Sequence, residues 1–100
     1  MQPELIVDLK LYPTSEGGRR GPIFGKWFGC PCMLRKDGPE GRDCRVLLDG
    51  RSVAPGESAR VGMIFLSPDS AALFRAAGKF YLWDGRIIGE ASVIDSKGAT

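Results

Sequence analysis

Phe80-Tyr81-Leu82-Trp83-Asp84-Gly85-Arg86-Ile87-Ile88-Gly89-Glu90-Ala91-Ser92-Val93-Ile94 is the stretch that decides the fold. Two hydrophobic runs flank an Asp-Gly pair, and Asp-Gly accepts the positive φ angles of a type I′ turn, whose twist matches paired strands. The spacing predicts a two-residue hairpin centred on Asp84 and Gly85, with both arms extended.

Other segments outward from this hairpin also read as strands. Leu5, Val7, Leu9 and Leu11 form one apolar face, with Glu4, Asp8 and Lys10 on the other, so residues 5–12 predict a half-buried strand. Trp27 to Leu34 predicts a second, interrupted by Gly29 and Pro31, which implies a bulge or an edge position. Turn chemistry runs from Lys36 to Asp43. A third strand follows from Cys44 to Leu48, ending at Asp49-Gly50, and a fourth from about Ala59 to Leu66. Between these two, Pro55-Gly56 suits the centre of a type II turn. The one good helix start is Ser67-Pro68-Asp69: Ser67 can cap, Pro68 suits the first helical position, and Asp69 favours the dipole. That helix is expected to end before Gly78. Six short strands without βαβ alternation predict an all-β fold, a closed six-stranded antiparallel β-barrel or a sandwich, with one short helix. Residues 1–95 are read as one domain, and residues 96–100 as a flexible tail.

Composition agrees. Fourteen glycines and seven prolines in 100 residues fit short strands joined by many turns. Net charge is only +2, but from Gly17 to Lys36 there are five basic residues (Arg19, Arg20, Lys26, Arg35, Lys36) and no acid. The absence of histidine removes most catalytic triads and the commonest metal ligand. Three cysteines, Cys30, Cys32 and Cys44, are an odd count, so buried reduced thiols are expected. A tetrahedral thiolate site would be one ligand short, and no metal or other cofactor is expected. No run reaches the roughly 18 apolar residues of a membrane span, and no secretory leader is evident, so a cytoplasmic protein without membrane association is the expectation.

A second stretch, Glu16-Gly17-Gly18-Arg19-Arg20-Gly21-Pro22-Ile23-Phe24, gives this order a familiar look. Together with Pro55-Gly56-Glu57 and the closing Gly85-Arg86-x-x-Gly89, it resembles the third, C-terminal β-barrel domain of elongation factor Tu and related translational GTPases. The resemblance covers about residues 4 to 95 and implies that barrel fold. It departs from the family at Arg20-Gly21, where His-Thr is usual, and at Cys30-Pro31-Cys32. The chain has no Gly-x-x-x-x-Gly-Lys-Ser/Thr phosphate loop, so binding or hydrolysis of GTP by that mechanism is excluded. It reads as the third domain alone.

In that family the barrel contacts aminoacyl-tRNA and packs against companion domains. The resemblance implies RNA contacts at Gly18, Arg19, Asp84, Gly85 and Arg86, while charge alone adds Arg20, Lys26 and Arg35. Glycines let backbone N–H groups approach phosphate, and guanidinium forks grip it. The expectation is a non-catalytic module binding tRNA-like or ribosomal RNA. The alternative is a protein-interaction barrel docking on a translation factor or another partner. Arg19 could equally hydrogen-bond carbonyls within the barrel, and Trp27 and Trp83 could be either stacking platforms or packing. No nucleophile-plus-base spacing points to an enzyme. Five bases on one solvent face would favour RNA; exposed Ile23, Phe24 and Trp27 would favour a protein.

Overall fold

The computed structural model describes residues 2–38 and 41–95. Pro39 and Glu40 of the expected turn and the expected tail 96–100 lie outside the described residues. The main strands are β1 (Leu5–Leu11), β3 (Trp27–Met33), β4 (Arg42–Leu47), β6 (Ser58–Phe65), β7 (Lys79–Trp83) and β8 (Ile87–Asp95). They form one antiparallel sheet in the order β1-β6-β4-β3-β7-β8, and β8 pairs back onto β1 to close a ring. A two-residue pairing of β2 (Ile23–Phe24) with β5 (Ser52–Val53) is too short to have been legible in the sequence.

Alternation explains the core. Leu5, Val7, Leu9 and Leu11 are all buried and meet Val46, Val61, Met63, Leu82 and Ala91 from the other strands. Helix α1 (Ser70–Ala77) links the end of β6 to the start of β7 and so covers one end of the ring. Its Phe74 packs between Phe65 and Phe80, with ring centroids 5.2 and 4.4 Å away. The β2–β5 pair lies at the opposite end, where β3 begins and β4 finishes, and buries Ile23 and Val53. No helix among the described residues is long and apolar enough to cross a membrane.

Three local expectations need correction. Asp84-Gly85 is not a two-residue type I′ turn: Trp83 pairs with Ile87, leaving a three-residue loop, and the register slips between Leu82 and Trp83. Gly85 has φ +78°, but Asp84 does not share a positive φ. The primed geometry falls on the other Asp-Gly pair. Asp49 and Gly50 have φ +53° and +88°, and the Arg51 N–H donates to the Leu48 carbonyl at 3.0 Å. Helix α1 starts at Ser70 rather than Pro68, with Asp69 at its cap position and no side-chain capping bond. Pro68 instead sits in a turn closed by the Ser70 N–H on the Ser67 carbonyl, because the fixed proline φ suits a turn's first central position equally well. The helix does stop at Gly78, whose φ of +81° gives the left-handed C-cap. Finally, the third strand begins at Arg42 rather than Cys44.

Pro31 occupies an edge-like position and not a bulge against β4. Strand β3 pairs with β4 without a break from Trp27 to Cys32, but with β7 only at Cys32 and Met33. Proline lacks the N–H that a strand with partners on both sides would use. The β3–β7 contact is therefore the narrow seam of the ring.

On the outer face of β7 and β8, the Tyr12 hydroxyl donates to Glu90 Oε1 at 3.0 Å and Lys79 Nζ pairs with Oε2 at 3.1 Å. Partial burial alone would raise the Glu90 carboxyl. Hydrogen bonds from Lys79 and Tyr12, with the charges of Lys79 and Lys10, outweigh it and hold the group below its ordinary range. A depressed carboxyl stabilises the fold above its unfolded-state value of about 4.3, and that contribution is lost as pH falls through the folded-state value. The melting temperature is expected to fall below about pH 4.3. Glu90→Gln should flatten that fall by on the order of 0.5 kcal/mol, as for a partly solvated pair. Identical acid profiles for the two proteins would refute the coupling.

Candidate functional site

The loop after β1 folds tightly before it reaches Arg19. Residues Thr14–Glu16 make one 3-10 turn, which Gly17 closes at φ +91° with its N–H on the Thr14 carbonyl. The Gly18 N–H then donates to the Pro13 carbonyl at 3.0 Å. That donor is used within the loop and does not point at a ligand. Gly18 is needed for close approach: a Cβ there would lie 2.0 Å from the Tyr12 carbonyl oxygen.

Arg19 is held on several sides. Its Nε donates to the Gly21 carbonyl at 3.2 Å and a terminal nitrogen to the Pro22 carbonyl at 3.5 Å. The other terminal nitrogen pairs with the Asp84 carboxylate. The guanidinium also lies 5.0 Å from the centroid of the Phe28 ring. Arg19 therefore ties its loop to the 84–86 hairpin, and a phosphate would have to displace Asp84 to reach it. Arg19→Ala should cost about 1–2 kcal/mol through lost hydrogen bonds and the cation–π contact, whereas exposed Arg20→Ala should stay within about 0.5 kcal/mol. Urea melts check this, and equal effects would mean that the Arg19 contacts do not form.

Gly18, Arg19, Arg20, Asp84 and Arg86 do come together, with Gly21 and Ile88, around one open recess. Gly85 sits exposed at the tip of the hairpin beside it. Among the described residues, no side-chain hydrogen bond or ion pair holds Arg20 or Arg86. The remaining bases lie elsewhere. Lys26 is exposed at the same end of the ring but beside the Asp49-Gly50 turn, and its carbonyl accepts the Leu48 and Asp49 N–H groups at 2.9 and 3.0 Å. Arg35 follows β3 at the opposite end and borders a second recess with Leu73 and Phe74 of α1. The Lys36 ammonium lies over the rings of Tyr12 and Tyr81, at 5.3 and 5.5 Å. The five bases of the 17–36 segment do not share one face. Their closeness in sequence misled because β3 carries Arg35 the length of the ring away from Arg19, while Lys36 turns onto the outer face over Tyr12 and Tyr81.

A different surface emerges along β3. Phe24 is 68% exposed, Trp27 40% and Trp83 41%, while Ile23 turns inward and is buried. The Trp27 ring lies along its own strand, where Gly29 leaves room: a Cβ at Gly29 would be 3.2 Å from it. Beyond Gly29, Pro31 borders a recess with Met33, Gly41 and Trp83. The Arg45 guanidinium stacks over Trp27 at 4.2 Å. Arg45 was missed in the sequence, although it lies across the β3–β4 ladder opposite Gly29.

The three thiols also meet. Cys30 and Cys32 project to the same side of β3, and Cys44 is opposite Cys30 on β4. All three are buried, and their sulfurs lie within 4.8 Å of one another. The signal was present in the i, i+2 spacing followed by a cysteine in the next strand of the hairpin.

No protein-family model matches the chain, and no curated protein matches it in sequence.

Proposed function

We propose that the chain is a non-catalytic protein-docking module, a β-barrel of the elongation factor Tu third-domain kind, that binds its partner through the Phe24, Trp27 and Trp83 surface. One observation carries this reading: large apolar side chains stand exposed beside the stretch of β3 that lacks pairing to β7. Tryptophan and arginine are the residues that most often anchor interfaces, and Arg45 over Trp27 places both together. The matching partner surface is apolar at its centre, with an acidic group facing Arg45. The RNA alternative is weakened by the internal bonding of Arg19 and Gly18 and by the separation of Arg35 from the Arg20–Arg86 recess.

Affinity capture from cell extract, with and without ribonuclease, tests the choice. Protein capture that survives ribonuclease and is lost in a Phe24→Ser/Trp27→Ser double variant is expected. Capture abolished by ribonuclease, or by Arg20→Ala/Arg86→Ala while the apolar double variant retains it, would put RNA first. Both tryptophans of the chain lie on the proposed surface, so a captured partner added back should also shift intrinsic fluorescence.

A further inference from the structure

We propose that Cys30, Cys32 and Cys44 form a three-thiolate site for a soft monovalent metal ion, of the chemical class of Cu(I). The ligand count that argues against a tetrahedral centre is the right one for a trigonal centre. With metal–thiolate bonds of about 2.3 Å, a trigonal ion needs sulfurs about 4.0 Å apart. Here all three sulfurs fall within 4.8 Å of one another, with Cys32 and Cys44 at 2.8 Å. Binding requires the short Cys32–Cys44 edge to open to about 4.0 Å.

The donor set selects the ion. Thiolates favour Cu(I), zinc and iron–sulfur centres. Zinc almost always takes a fourth ligand, and the chain has no histidine. Among the described residues, no carboxylate joins the three sulfurs. Three buried sulfurs therefore match a three-coordinate soft ion. Burial keeps competing water ligands out: Cys32 and Cys44 are 0% and 2% exposed.

On binding, the ion takes three sulfur lone pairs and the displaced protons leave to solvent. Cys30 lies where β3 departs from β7. An ion there ties β3 to β4 next to the narrow seam of the ring.

The test is to titrate the reduced protein with Cu(I) under anaerobic conditions against a chromogenic Cu(I) chelator. X-ray absorption then counts the sulfur neighbours, and thermal melts follow with and without the ion. One equivalent taken from the chelator, three sulfur neighbours and a higher melting temperature are expected. Cys30→Ala should lose more affinity than the roughly 10–100-fold typical of removing an outer-shell partner. No uptake by the wild-type protein, or only two sulfur neighbours, would overturn the site. So would a folded Cys30→Ala variant that keeps three sulfurs. Zinc held at one equivalent in preference to Cu(I) would overturn the metal class. If Cys30→Ala does not fold, the wild-type sulfur count still decides.

Discussion

Phe74→Ala is expected to lower stability by about 3–5 kcal/mol, a large part of what a domain of this size possesses. Phe74 is fully buried and stacks on Phe65 while tilting against Phe80. These three rings are the contact through which α1 closes its end of the ring. An eight-residue helix has no stability of its own, so α1 exists because that contact holds it down. Removing the ring leaves a cavity between strands that are fixed by their ladders and cannot collapse into it. The neighbouring Leu73 faces the Arg35 recess and is only partly buried, so Leu73→Ala should cost about 1 kcal/mol. Denaturant midpoints of the two variants measure the difference. A Phe74→Ala loss below that of Leu73→Ala would mean that α1 is not docked through this ring.

How much of this was legible depends on the range of the interaction. The alternation of residues 5–11 predicts β1 and its buried face directly, because a strand's side-chain period is a local property. Gly78 ends the helix for a local reason too. The two Asp-Gly pairs show where local reading stops. Both suit a primed turn, but the register set by Leu82 against Gly89 forces a longer loop at Asp84, and the dipeptide alone does not contain that register. The same holds for the site. Arg19 finds Asp84 across 65 residues of sequence, and nothing near either residue encodes the pairing. Arg35 looked like a neighbour of Arg19 because both lie in one basic run, yet a full strand separates them. The thiol cluster was half visible: the spacing of Cys30 and Cys32 fixes a shared face, but only the β3–β4 register brings Cys44 to it.

Gly18→Ala is expected to be the most damaging small substitution in the loop, costing about 3 kcal/mol or more, at the upper end of what overpacking produces. The added Cβ would lie 2.0 Å from the Tyr12 carbonyl oxygen, 2.7 Å from its carbonyl carbon and 2.9 Å from the Pro13 oxygen. All three are backbone atoms, so no side chain can rotate away, and the loop must lift off the end of β1. Lifting it also breaks the Gly18 N–H bond to Pro13 and moves Arg19 from Asp84. The adjacent glycine provides the control. Gly17 has a left-handed φ but open space around a Cβ, so Gly17→Ala should cost only about 1 kcal/mol of backbone strain. Chemical melts of the two variants separate close approach from conformational strain, and equal losses would mean that the loop does not lie against Tyr12. Altered reactivity of Arg19 toward a guanidinium-modifying reagent in Gly18→Ala alone would tie Gly18 to the positioning of Arg19. The first glycine turns the chain and the second lets it lie flat, which carries the arginine to the carboxylate of the closing hairpin.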